Sequence, residues 1–113
     1  MKELKVYCRK ERVDDLVHAL RLAGVPHMTV THVRSLGSGV DPKHAGVSWE
    51  SGTLYTEKAK VEFVCSEPEV DRLIGLIIAQ ARTGEPGDGI VFASTVDRAV
   101  KILTGTEGRD ALR

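Results

Sequence analysis

Asparagine is absent from this 113-residue chain, cysteine occurs twice, and the 16 basic residues are matched by 16 acidic ones, giving a formal net charge of zero. Each shortage excludes something. Without a charge surplus there is no whole-chain field to hold nucleic acid or an acidic membrane surface. No apolar run reaches the length of a membrane span, so no membrane insertion is expected. The opening MKELKVYCRKER is charged throughout, unlike a secretion signal, and predicts a cytoplasmic protein. Cys8 and Cys65 have neither a CxxC spacing nor a disulfide framework, which suits two small core side chains in a reducing compartment. The missing asparagine counts against acylphosphatase-type chemistry, which needs a positioned amide beside an arginine-rich phosphate cradle. Repeats, low-complexity tracts and linkers are also lacking, so residues 1–113 are expected to form a single domain.

What is present is a clear alternation of periods. Lys2 to Cys8 alternates with period two, placing Leu4, Val6 and Cys8 on one face of a half-buried strand. Val13, Leu16, Val17 and Leu20 follow the helical spacing within 11–23, and Gly24 and Pro26 stop that helix. Met28–Leu36 returns to strand character, with Thr29, Thr31 and Val33 opposite Met28 and Val30. Residues 37–55, with four glycines and a proline, break every pattern and predict a long mobile loop. A third strand covers Lys58–Cys65. Ser66, Pro68 and Glu69 then read as a capped helix start ahead of the stripe Val70, Leu73, Ile74, Ile77, Ile78 and Ala81. A strand at Ile90–Ser94, a short helical turn capped at 94–97 and a brief strand at Lys101–Leu103 complete the chain.

The order β-α-β-β-α-β predicts an α+β, ferredoxin-like sandwich with a short C-terminal addition. In that topology the first and third strands lie antiparallel side by side. Cys8 and Cys65, both near strand C-terminal ends, are placed at opposite edges of the sheet, which argues against a disulfide. Two helices cover only one sheet face. The other carries Tyr7, Thr29, Val33 and Val64 among Lys5 and Glu62, too apolar for open water and too polar for a sealed core. Packing of such faces in an oligomer would resolve the conflict.

Several isolated residues carry little. Asp41 and His44 in the loop lack a third ligand, so no metal site is expected and a metal-binding trimer is disfavoured. His18 and His27 read as surface residues and His32 as a hydrogen-bonded, partly buried one. No Ser-His-Asp, Cys-His or paired-carboxylate constellation stands out, so no catalytic residue is assigned and no enzyme is expected. Trp49, the only tryptophan, suits an interface anchor in its glycine-rich loop.

The stretch ARTGEPGDGIVF, residues 81–92, raises the sharpest question. Gly84, Gly87 and Gly89 can free backbone N–H groups for an anion. No Gly-Lys-Ser/Thr follows, so it is not a P-loop. Taken by itself, a helix C-cap and a turn into a strand is the better reading. Its neighbours change the balance. With GVPHMTVTHV before it and VDRAVKILTGTEGRDAL after it, the chain closely resembles the PII family of signal-transduction proteins. The combination T-G-x-x-G-D-G-x-x-F with a downstream I-x-T-G-x-x-G is the specific part. The resemblance covers essentially the whole chain and breaks down over 37–55.

The resemblance implies a homotrimeric regulator without catalytic activity, holding adenine nucleotide in clefts between subunits and docking its long loop on a transporter, enzyme or other target. Thr83, Gly84, Gly87, Asp88 and Gly89 match the phosphate loop, in a segment spanning 82–90. Thr29, Glu62 and Val64 match positions around the adenine, with Tyr7 beside them; without the resemblance these are plain strand surface. Ser35, Leu36 and Gly37, where the second strand enters the long loop, are also counted among the nucleotide-binding positions. Lys58 matches a lysine that approaches a 2-oxoglutarate carboxylate; otherwise it is a solvated edge lysine. Val40, His44, Trp49, Ser51 and Tyr55 fall in the partner-binding loop.

Departures from the family pattern alter these expectations. Ile90 stands where the family has lysine, and of two arginines expected at 101 and 103, in the segment 101–113, one is Lys101 and the other Leu103. Each lost cation is a charge-assisted contact of roughly 1.5–3 kcal/mol. ADP or AMP should therefore bind at least as well as ATP, and whether Mg²⁺ accompanies the nucleotide stays open. Ser38 and Gly39 replace an Arg-Gln pair, which undermines a 2-oxoglutarate response. Ser51 replaces the tyrosine that is uridylylated in many relatives. A related branch answering to bicarbonate with ADP or AMP is the alternative reading.

Overall fold

The computed structural model describes residues 1–36, 46–47 and 54–113. Five strands form one sheet: β1 (Lys2–Arg9), β2 (Thr29–Leu36), the two-residue β3 (Gly46–Val47), β4 (Leu54–Cys65) and β5 (Gly89–Thr95). Helices α1 (Val13–Leu22) and α2 (Val70–Ala81) lie on one face, each entered through a short 3₁₀ turn. The order β2-β4-β1-β5 is antiparallel throughout, with β3 added to β4 on the side opposite β2, where Tyr55 lies between Leu36 and Gly46. This is the α+β, ferredoxin-like arrangement predicted from the periodicity.

The core follows from the two periods meeting. Leu4, Val6 and Cys8 of β1 and Ala59, Val61, Phe63 and Cys65 of β4 point toward the helices. Leu16 and Leu20 of α1 and Leu73, Ile77 and Ala81 of α2 close over them. α1 ends as its glycine demands. Gly24 sits at φ 98°, and the N–H groups of Gly24 and Val25 turn back to the carbonyls of Arg21 and Leu20.

Several local expectations are corrected. Cys8 and Cys65 are buried and free, but they lie on adjacent inner strands at opposite ends of the sheet, not at opposite edges. Antiparallel pairing places Cys8 against Ala59 and Cys65 against Lys2. Ser66 makes no side-chain cap, and Glu69 does not reach back; its carboxylate accepts from Arg72 Nε at 2.9 Å. β5 runs on through Thr95, paired with Lys2, so no helical turn forms at 94–97. Lys101–Leu103 is not a strand either. It enters a turn closed by the Gly105 N–H on the Lys101 carbonyl at 2.7 Å, beside an isolated bridge between Val100 and Glu107. His32 is exposed, because β2 is an edge strand that reaches past the cover of α1; Val30 beside it is 45% exposed for the same reason. β4 begins at Leu54, so Tyr55 lies in a strand, where Arg34 stacks 4.5 Å from its ring centre.

The uncovered face matches its sequence reading. Tyr7, Thr29, Val33 and Val64 share it with Ile90 and Phe92, and the Tyr7 and Phe92 rings meet edge to face at 6.1 Å. Ile90 and Phe92 are about half exposed. Charges on this face pair along their own strands, Lys5 with Glu3 at 3.6 Å and Lys60 with Glu62 at 2.8 Å.

The two classes of apolar residue should separate cleanly in denaturant. Leu16→Ala, at a fully buried position under α1, is expected to cost about 2–5 kcal/mol. Ile102→Ser, at a fully exposed turn, should leave the urea midpoint of the isolated chain unchanged.

Candidate functional site

α2 stops at Ala81, and residues 82–88 carry the chain to the start of β5 at Gly89. Three glycines make this loop possible: Gly84, Gly87 and Gly89 have φ of 90°, 97° and 107°, a region that L side chains rarely enter. Gly89 is constrained further, since a Cβ there would stand 1.7 Å from the Tyr7 carbonyl oxygen.

The centre of the loop is the Asp88 carboxylate. It accepts the Thr83 N–H at 2.8 Å, the Gly84 N–H at 2.9 Å, the Thr83 hydroxyl, and Arg9 Nε at 3.0 Å. Burial works to raise its pKa, but these four donors outweigh burial and hold the carboxyl well below the usual carboxylate range. The Gly84 N–H is thus already engaged, and the loop's first arm is closed on an anion of its own. Arg9 also donates from Nη2 to the Pro86 carbonyl at 2.8 Å. Lys58 Nζ donates to the next carbonyl, that of Gly87.

Lys58 is not a solvated edge lysine. It stands on inner strand β4, opposite Arg9 in the register, and is only 5% exposed. Burial lowers its pKa first, and the Arg9 charge lowers it further, against a smaller pull upward from Asp88. Lys58, Thr83, Gly84, Gly87, Asp88 and Gly89 therefore meet at one end of the sheet, with Tyr7 and Ile90 paired just inside it. Ser35 and Leu36 lie toward the same end of β2, opposite Thr56 and Tyr55.

The remaining expected residues do not join them. Thr29 pairs with Glu62, and Val64 lies two residues further toward the opposite end of the sheet. Glu62 is four residues from Lys58 along β4, roughly 14 Å at strand spacing. These three line a shallow cavity of about 370 Å³ with Pro26, Ala111 and Leu112. Lys101 and Leu103 follow the far end of β5; Lys101 Nζ bonds the Arg113 carbonyl at 3.0 Å, and Leu103 is 88% exposed. Gly37, Val40, Asp41, His44, Trp49 and Ser51 lie outside the described residues. Arg9 escaped the sequence reading. Its only signal was a basic residue at the end of a strand leading toward the glycine loop. Among the described residues, no group of three potential metal ligands comes together, and no helix is long and apolar enough to cross a membrane.

The chain is thus a two-layer ferredoxin-like sandwich with a glycine loop at one sheet end and a shallow cavity of mixed lining at the other. The family model described as "Nitrogen regulatory protein P-II" matches residues 1–106. Similar proteins include nitrogen regulatory protein P-II 2 of Methanothermobacter thermautotrophicus, 37% identical over 99% of this chain and 97% of its own. The nitrogen regulatory proteins P-II of Microchaete diplosiphon, at 37%, and Haemophilus influenzae, at 35%, align over 99% of this chain and all of theirs. The chain belongs to the P-II family of regulatory proteins.

Two measurements test the loop. Gly84→Ala meets nothing within 4 Å and should cost only the backbone strain, about 1–2 kcal/mol, whereas Gly89→Ala adds a backbone collision and should destabilise far more in urea unfolding. Asp88 has a folded pKa below its unfolded value, so its stabilisation is full above about pH 4 and is lost as pH falls through the folded value. Asp88→Asn should therefore be less stable at neutral pH and lose less stability than wild type between about pH 5 and pH 2.

Proposed function

We propose that this P-II protein is a cytoplasmic, non-catalytic regulator that forms a homotrimer and binds adenine nucleotide between its subunits. The observation that carries this reading is the split of the matching residues. The phosphate-type loop with Lys58 sits at one end of the sheet, while Thr29, Glu62, Val64, Lys101 and Leu103 sit toward or beyond the other. Neither group alone encloses a nucleotide. A second copy, offering its far end to the first copy's glycine loop, would complete the site. The half-apolar sheet face with exposed Ile90 and Phe92 gives such copies a surface to bury.

The bound nucleotide is short. Ile90 at the exit of the loop and Leu103 in the tail offer no cation to a γ-phosphate, so ADP or AMP serves as effector at least as well as ATP. A small anion, bicarbonate or 2-oxoglutarate, is the second effector, and an unidentified transporter or enzyme is the target. Ser38 and Gly39, in place of an Arg-Gln pair, count against 2-oxoglutarate, and a regulator answering to bicarbonate with ADP or AMP is the alternative.

Light scattering should give a trimer at micromolar concentration; a monomer would overturn the shared site. In calorimetry, ADP and AMP should bind no more weakly than ATP. Ile90→Lys with Leu103→Arg should shift the preference toward ATP by about tenfold, equivalent to ~1.4 kcal/mol. A wild-type protein strongly preferring ATP would refute the short-nucleotide reading.

A further inference from the structure

Two cations hold two consecutive carbonyls of the glycine loop. Arg9 Nη2 takes Pro86 O at 2.8 Å, and Lys58 Nζ takes Gly87 O. In a trans peptide the N–H lies opposite the C=O across the same bond, and the chain has no cis peptide among the described residues. Drawing the Pro86 and Gly87 carbonyls toward the sheet therefore turns the next two N–H groups, those of Gly87 and Asp88, away from it. The left-handed φ of Gly87 lets both turn together. Arg9 does a second thing with the same guanidinium. Its Nε bonds Asp88, whose carboxylate gathers the Thr83 and Gly84 N–H groups. The Arg9 side chain is only 11% exposed, so this fork is fixed against the sheet rather than free to follow a ligand.

We propose that Arg9 is a positioning residue of the nucleotide site: it orients the loop so that the Gly87 and Asp88 N–H groups face a phosphate, and does not itself bind that phosphate. The inference rests on the adenine-nucleotide reading for its consequence, but not for its geometry. A guanidinium can hold a carboxylate and a carbonyl together, whereas an ammonium on a flexible stem holds them less well. Lys58 cannot substitute, because its bond goes to the neighbouring carbonyl from the other strand.

The test compares Arg9→Met and Arg9→Lys with wild type in two assays on the full chain. The first, without ligand, is amide hydrogen exchange at Thr83, Gly84, Gly87 and Asp88. Arg9→Met should speed exchange at Thr83 and Gly84 and move the Gly87 and Asp88 amide resonances, while β1 and β4 keep their protection. Arg9→Lys should give an intermediate result. The second is calorimetry with ADP and with adenosine. Arg9→Met should weaken ADP by about tenfold or more and leave adenosine unchanged, and Arg9→Lys should recover part of the ADP loss. Unchanged loop amides in a folded Arg9→Met protein would overturn the proposal even if no nucleotide binds wild type. Equal weakening of ADP and adenosine would also overturn it, since the loss would then not belong to the phosphate. Wild type that binds no adenine nucleotide would defeat the functional reading alone, because the exchange result stands independently.

Discussion

The pairing of β1 with a neighbour on each side is the constraint from which the rest follows. Cys8 lies between Ala59 of β4 and Gly89 of β5. One residue beyond it, Arg9 meets Lys58 on one flank and the closing loop on the other. A slip of one residue would send Leu4, Val6 and Cys8 to the open face and turn Arg9 into the core. The hydrophobic pattern that fixes the core therefore also fixes where two cations meet a glycine loop. The same register brings Gly89 so close to the Tyr7 carbonyl that no side chain fits, which ties the start of β5 to β1 at a single point.

The loop is held by electrostatics rather than by burial. Its apolar content is small, and most of its residues are exposed. Four donors converge on one carboxylate, and two buried or nearly buried cations take two carbonyls. Such hydrogen bonds to charged groups contribute more than neutral ones, and each partner left alone would cost more than the bond contributes. That makes the arrangement cooperative: losing Arg9 or Asp88 disturbs the other's partners as well.

Elements with strong periods were legible in the sequence. The alternation in Lys2–Cys8, the helical stripes and the Gly24 stop all correspond to what the chain does, because burial enforces each pattern along its whole length. The glycine loop was legible as a motif but not as a geometry. Nothing in TGEPGDG states that its aspartate satisfies its own first arm, since that depends on chain reversal over five residues and on a donor 79 residues away in sequence. Lys58 misled for a related reason: a lysine at the start of a predicted strand reads as an edge residue until the strand proves to extend to Leu54 and to lie inside the sheet. The tail was misread because Lys101–Leu103 has strand-like composition but, among the described residues, no strand beside it to pair with. His32 was placed by alternation alone, which identifies a face but not how far the helices reach across it.

The open face also has an electrical character. Away from Arg9 and Lys58 at its loop end, four charged residues form a small checkerboard, Glu3 and Lys5 on β1 beside Lys60 and Glu62 on β4, with each cation compensated two positions away on its own strand. The strip therefore sums to zero without help from any other molecule. A surface of this kind exerts no long-range pull and gains little from low salt. What this strip presents is the Tyr7, Ile90 and Phe92 contour, with no surplus charge of either sign beside it.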